Sequence, residues 1–457
     1  MGSVGLNFGS ATSGAGFNVA ATVAAIVGNL QAVESPWKTQ LATLQAKDGV
    51  FTQIGTDLST LTTSLQALTD FQGVLSAKQG SSSNTNILTL TNATAMATAG
   101  SHTVTVSQLA QTSSDYSGVV VNASDTLSGS LTIQVGSGTA HAVAVGSTSN
   151  TLATYAAAIN AAAIGVTASV ITDSSGSRLS LVSGTSGAAG QLTLSGTGLT
   201  DATTSTSLAF ATGQTGQNAS LTVDGITLTS ASNTVNGAIP GVTFQLLSSS
   251  VGTPVQVQIT NDNTAVETAV QSFATAYNSV VKDITAQEGN NASGQPQPLY
   301  GDPTVAQLQE SLTSALNGGS PSGSISSISQ LGLSVGQDGT LTLNTSTLDG
   351  VLNSHYSDVV GFMQNTGSFG QSFSNVLNQV DNQAPGGSVY LALKQDSLVE
   401  GSLNLDITNQ NALIAQQQAA LTTELNSANT TLTQIPAQLN EISQIYSAIS
   451  GYIAPRF

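Results

Sequence analysis

Cysteine is absent from the 457-residue chain, and charged side chains make up only 7% of it. A typical soluble protein carries about 25% charged residues. The first absence removes disulfides, zinc–thiolate sites and thiol catalysis. Seven Lys and Arg stand against 24 Asp and Glu, for a net charge of −17. The basic residues (Lys38, Lys47, Lys78, Arg178, Lys282, Lys394 and Arg456) are scattered. Phosphate recognition needs them clustered, so a nucleic-acid partner is excluded. Long apolar runs are also missing. The best, residues 19–27, falls short of the ~20 residues a bilayer requires, so no membrane insertion is expected. No Lys or Arg precedes Lys38, so the basic n-region of a cleavable secretory signal is not seen. Aromatics are 4% of the chain. That weighs against a sugar-cleaving cleft, although paired glycosidase carboxylates have no fixed sequence spacing.

Helical periodicity occupies the two ends. Phe51, Ile54, Leu58, Leu61, Leu65 and Leu68 recur at three and four residues. Upstream, Val23, Leu30, Trp37 and Leu44 continue the phase at seven-residue steps, as in a coiled-coil seam. Ser35-Pro36 is expected to start the main helix, with Ser35 as its cap. At the other end Leu425, Leu432, Leu439, Tyr446 and Ile453 form one heptad row, and Leu421, Ala428, Ile435, Ile442 and Ile449 the other. Pro436 interrupts the pattern and predicts a kink or break near Ile435. Intrachain and intermolecular helix packing both satisfy such rows.

The middle reads as strand. Val104-Thr105-Val106, Leu131-Thr132-Ile133, Leu179-Ser180-Leu181 and Leu221-Thr222-Val223 alternate between turn residues. Asp224-Gly225 and Asp338-Gly339 mark hairpins. One helix, with Leu152, Tyr155, Ala156 and Ile159 on a face, interrupts the strands. Helices return after Asn261, where Asp262 and Asp302-Pro303 predict caps. The fold class is therefore α+β and multidomain: a helical coiled-coil leg built from the N- and C-terminal segments, with two inserted β-rich head domains.

Catalytic signals are weak. Gly332-Leu333-Ser334-Val335-Gly336 has the letters of a nucleophile elbow, but it runs from a strand into a hairpin, not into a helix. His102, His141 and His355 lack metal-ligand spacing. Asn261-Asp262-Asn263 lacks the Gly and terminal Glu of a calcium loop. No enzyme activity, cofactor or metal is expected.

The run Ala97-Thr98-Ala99-Gly100-Ser101-His102-Thr103-Val104-Thr105-Val106-Ser107-Gln108-Leu109-Ala110 resembles the AxxGxYxVxVxQLA signature of the flagellar filament cap proteins, the hook-associated protein 2 family. His102 stands where the family often has Tyr. Gly14-Ala15-Gly16-Phe17-Asn18 and Glu34-Ser35-Pro36 resemble the family's N-terminal leg. Residues 131–194 resemble the hook-type insert of flagellins and their caps. Val223-Asp224-Gly225-Ile226, Ile239-Pro240-Gly241-Val242-Thr243, Gly301-Asp302 and Leu331-Gly332-Leu333 follow in family order. Pro436 is the main departure.

The resemblance implies a ring at the distal tip of the growing bacterial flagellar filament. Flagellin would fold and insert beneath it without leaking away. Implied partners are a second copy of the chain, flagellin, hook–filament junction proteins and a flagellar export chaperone. The location is extracellular, reached by the flagellar secretion system without a cleavable signal. The alternatives are a surface adhesin at the tip, or a flagellin or junction protein. The expected division is a flexible N-terminal assembly segment (1–37) and a helical leg with a small hairpin (38–80 and 263–420). An inner head (81–127 and 216–262), an outer head (128–215) and a C-terminal coiled-coil segment (421–457) complete it. Trp37, Leu44, Phe51, Leu425, Leu432, Leu439 and Tyr446 are the expected leg and filament-contact seam.

Overall fold

A computed structural model describes residues 13–196, 198–381, 383 and 385–450. The chain divides into two units, Met1–Thr69 with Glu267–Phe457, and Asp70–Val266. Its α-helices are α1 (Val19–Gln31), α2 (Ser35–Thr69), α3 (Leu152–Ala161), α4 (Asn263–Thr285), α5 (Pro303–Ala315), α6 (Thr345–Ser354), α7 (Tyr356–Gln364), α8 (Phe369–Val380) and α9 (Ser388–Ser450).

The helical unit is organised around α2. Its stripe from Phe51 to Leu68 is buried, each of the six apolar side chains being 1% exposed or less. Residues three and four apart share one helix face, so this face must be covered by other helices. Phe273 of α4 and Phe369 and Phe373 of α8 meet edge to face, Phe273 lying 5.4 Å from Phe373 at 76°. Phe362 of α7 stacks flat on Phe369 at 5.2 Å. Asp302 caps α5 by accepting from Thr304 N at 2.9 Å, with Pro303 in the first turn, as the sequence predicts. The hairpin Leu333–Val335/Leu341–Leu343 is clamped to α4. Asn278 accepts from Leu341 N (2.6 Å) and donates to Leu341 O (2.8 Å).

Two sequence expectations change here. Ser35 begins α2 but is not an extended cap. A 3-10 turn, Ala32–Glu34, brings the chain in from α1 with Ser35 already helical (φ −55°, ψ −45°). Within the segment expected to be flexible, Val19–Gln31 is helix, because Val23 and Val27 bury against Ile414 of α9. Residues 1–12 of that segment lie outside the described residues.

The β-rich unit has two cores. In the first, Lys78–Ser82, Val255–Asn261, Gly100–Gln108, Ala219–Val223 and Ile226–Ser230 form an antiparallel five-stranded sheet in that order. A three-stranded sheet of Thr234–Ile239, Val242–Leu246 and Leu88–Ala93 shares its core, centred on Val104, Val106, Leu221, Phe244 and Val257. In the second, α3 packs against strands including Ser130–Val135, Val166–Asp173 and Gly176–Ser186 through Leu131, Tyr155, Ile159 and Leu181. Strand residues alternate between buried and open faces, which is why these segments read as period two. The chain enters and leaves the second core through the paired residues Gln111 and Gln217.

Candidate functional site

The residues expected to form the seam lie on α2 and α9, and the fold treats them differently. Phe51 is core, 1% exposed. Trp37 and Leu44, on the same helix, are half-buried. On α9, Leu425 is half-buried against the cluster of Val23, Val27 and Ile414, and Leu432 is half-buried farther along. Leu439 and Tyr446 are exposed, 49% and 63%. They are joined by Ile442, Ile445 and Ile449, at 63%, 59% and 81%. The last three turns of α9 therefore present both heptad rows to solvent. Ile453 lies outside the described residues. Scattered surface leucines need no explanation, but a contiguous apolar face marks an interaction surface. A second exposed row, Leu391, Leu398 and Leu405, repeats at seven residues nearer the start of α9. The sequence reading missed it, although its spacing was visible.

The N-terminal residues cross α9 at the junction of these zones. Gly14 and Gly16 both have φ +63°, a region open to glycine. Asn429 Oδ1 accepts from Phe17 N at 2.8 Å, and a side chain at Gly16 would overlap that same oxygen. Asn18 then caps α1 by accepting from Ala21 N at 3.0 Å. A Cβ on Gly14 would meet Pro436 Cγ at 3.0 Å. The expected break at Pro436 does not occur: α9 is continuous through it. Proline removes one backbone donor and crowds the preceding turn. Here the surrounding turns keep their helical path, and Thr433 Oγ1 bonds Thr430 O at 2.8 Å just before it.

Charge is sparse and unevenly paired in the helical unit. Glu34 is fully buried, with Lys38 Nζ 2.6 Å from its Oε2. This is an ion pair by distance that lacks hydrogen-bond alignment. Lys47 Nζ lies 3.3 Å from Asp302 Oδ2, tying α2 to the head of α5.

In the β-rich unit the signature run becomes the central strand Gly100–Gln108. Val104 and Val106 point into the core with no exposure, and Gln108 Nε2 donates to Asn218 O at 2.8 Å. Asn233 brackets Ala110, accepting from its N (2.7 Å) and donating to its O (3.0 Å). The signature run is thus a strand pinned where the chain passes between the two cores. His102 Nδ1 lies 2.7 Å from Asp224 Oδ2 in the tip of the hairpin Ala219–Val223/Ile226–Ser230. That hydrogen bond first, and Thr103 N second, hold the Asp224 carboxyl below the usual carboxylate range.

The catalytic candidates do not assemble. Ser334 Oγ lies 2.7 Å from Thr342 Oγ1 across the small hairpin. His355 Nδ1 contacts Ser354 Oγ at 2.8 Å, and His102 is bonded to Asp224. Among the described residues no group of three or more His, Cys, Asp or Glu could hold a metal ion. No helix among them is long and apolar enough to cross a membrane.

Comparison with known proteins matches most of the chain. Residues 15–113 match the family model for the flagellar hook-associated protein 2 N-terminus, and residues 216–448 that for its C-terminus. The B-type flagellar hook-associated protein 2 of Pseudomonas aeruginosa is 28% identical over 460 residues, 94% of this chain and 95% of that protein. The flagellar hook-associated protein 2 of Salmonella typhimurium is 23% identical over 239 residues, 50% of this chain and 48% of that protein. The crystal structure of the D1-D2-D3 domains of the flagellar cap protein FliD from Escherichia coli is 26% identical. It covers 76% of this chain and 99% of that one, with a TM-score of 0.58. With terminal helices forming a leg and β-rich domains inserted between them, this chain belongs to the flagellar hook-associated protein 2 family.

Proposed function

We propose that the chain caps the distal end of the growing flagellar filament as a ring-shaped homo-oligomer, and promotes folding and insertion of exported flagellin beneath it. The observation that carries this reading is the apolar end of α9. Leu439, Ile442, Ile445 and Ile449 are exposed on a helix whose middle, at Ile414, Leu421 and Leu425, already packs against α1. Each buried side chain of this size contributes ~1.5–3 kcal/mol, so the face gains most when another protein covers it. In this reading Leu432, Leu439 and Tyr446, with the half-buried Trp37 and Leu44, form the leg's contacts with the filament end, and Phe51 and Leu425 hold the leg together. The first β core acts as the inner head and the second, entered at Gln111 and left at Gln217, as the outer head. Val120 and Leu127, expected in the inner head (81–127 and 216–262), pack in that second core with the expected outer segment 128–215.

The work is done by shape and binding, without bond chemistry. Flagellin and the junction proteins meet the chain at the tip. A flagellar export chaperone accompanies it through the flagellar secretion system, without a cleavable signal. The family matches do not favour the adhesin, flagellin or junction-protein readings. The test is deletion of the gene in its host, with flagellin in the spent medium measured beside filament length. Abundant monomeric flagellin and short or absent filaments, restored by the intact gene, are expected. Full-length filaments without leakage would reject the proposal and favour the adhesin.

A further inference from the structure

Three carboxylate oxygens in the helical unit, Asp48 Oδ1, Glu400 Oε1 and Asp283 Oδ2, are buried with no donor in reach. They belong to two clusters that both involve α2. Asp48 of α2 hydrogen-bonds Asp396 of α9, with Glu400 one turn farther along acting on the same site. Asp57 of α2 hydrogen-bonds Asp283 of α4. Two carboxyl groups can share such a bond only when one carries a proton. The nearby cations do not relieve this. Lys47 is engaged by Asp302, and Lys282 acts on Asp283 less strongly than burial and Asp57 do. Of the other helices packed on α2, α8 has no titratable side chain, and Asp358 of α7 is occupied by Ser324 N (2.9 Å) and Oγ (2.8 Å).

We propose that these carboxyl pairs make the packing of α9 and α4 on α2 proton-dependent, tightening in acid and slackening towards neutrality. Burial first, then the charges of Asp396 and Glu400, push the Asp48 carboxyl up from 3.8 to about 6. Burial and Asp57 raise Asp283 in the same direction. A carboxyl raised in the folded state contributes stability that is fully present below its unfolded value, and is lost as pH rises through the folded one. For Asp48 the window runs from 3.8 to about 6. The consequence is a leg seam that is loosest under neutral conditions near the start of α9, at the opposite end of that helix from Leu439 and Ile449.

The test is hydrogen exchange of the full-length chain, following amides in residues 388–405 from about pH 4 to about pH 7.5, corrected for intrinsic rates. A shift of this size corresponds to roughly a hundredfold at full strength, and screening at a partly exposed site reduces it to about tenfold. The wild type should show that rise in opening. Asp48→Asn should flatten it, as should Asp396→Asn from the other side of the pair. Asp283→Asn should act on α4 alone. Glu441→Gln, which removes one charge from an exposed position on α9, should leave the rise intact. An unchanged rise in Asp48→Asn and Asp396→Asn would overturn the proposal. So would its loss in Glu441→Gln, or failure of both amide variants to fold at acid pH.

Discussion

Gly16 cannot be exchanged for a residue with a side chain without moving the N-terminal segment off α9. Its φ of +63° and the position of Asn429 Oδ1 both require glycine. Gly16→Ala is expected to cost about 1–3 kcal/mol locally and to raise amide exchange at Phe17 and through α1, with the β-rich unit unaffected. Protection equal to wild type would show that the crossing is not held there. Phe51→Ala empties a fully packed position of α2 and should destabilise the helical unit by about 3–5 kcal/mol, read as a lower melting midpoint. Asp224 behaves oppositely to the leg carboxyls. Its carboxyl is held low, so its contribution is present above an ordinary value of 3.8 and is lost as pH falls through the folded one. Amides of residues 219–230 should loosen in acid, and Asp224→Asn should remove that dependence while keeping the left-handed turn at φ +51°. The same acid-side loosening in the variant would assign it to another group.

At the scale of elements, α9 does two jobs along one helix. Its middle buries Ile414 against α1, and its last turns hold apolar residues in solvent. Leu432→Ser combined with Leu439→Ser should weaken capping while the strand content of the heads is unchanged. Filaments of normal length from that variant would sink the assignment. Pro436 bears on the same helix. Because α9 runs through it, Pro436→Ala should raise amide protection around residues 432–440 with no loss of helix content. A fall in protection would mean that the contact with Gly14 matters more than the missing backbone bond.

At the scale of the whole molecule, the low charge sets how copies associate. With 7% charged residues there are few ion pairs for salt to screen. Ring and filament contacts are therefore expected to be apolar and neutral-polar, and to survive a change from about 50 mM to about 500 mM salt. Sedimentation of the assembled species across that range checks this, and dissociation at moderate salt would contradict it. The outer head is a separate question. Removing the whole second β core, residues 112–216, should spare filament growth yet abolish attachment if adhesion were the main role.

Much of this was legible in the residues alone. Local backbone preference and side-chain period are carried by near neighbours, so the α2 stripe, the caps at Asp262 and Asp302 and the Asp224-Gly225 and Asp338-Gly339 hairpins could be read directly. The order of weak family motifs was likewise a property of the sequence. What covers an apolar face is not local. The heptads at Phe51 and Leu439 look alike, yet one is sealed in the core and the other faces solvent. Nor is it local whether a proline breaks its helix, because the surrounding packing decides how the missing bond is tolerated. The meeting of Asp48 with Asp396, and of Asp57 with Asp283, joins residues far apart in the chain. Only the tertiary structure sets those distances and the burial around them, and on both depends whether a carboxyl keeps its proton.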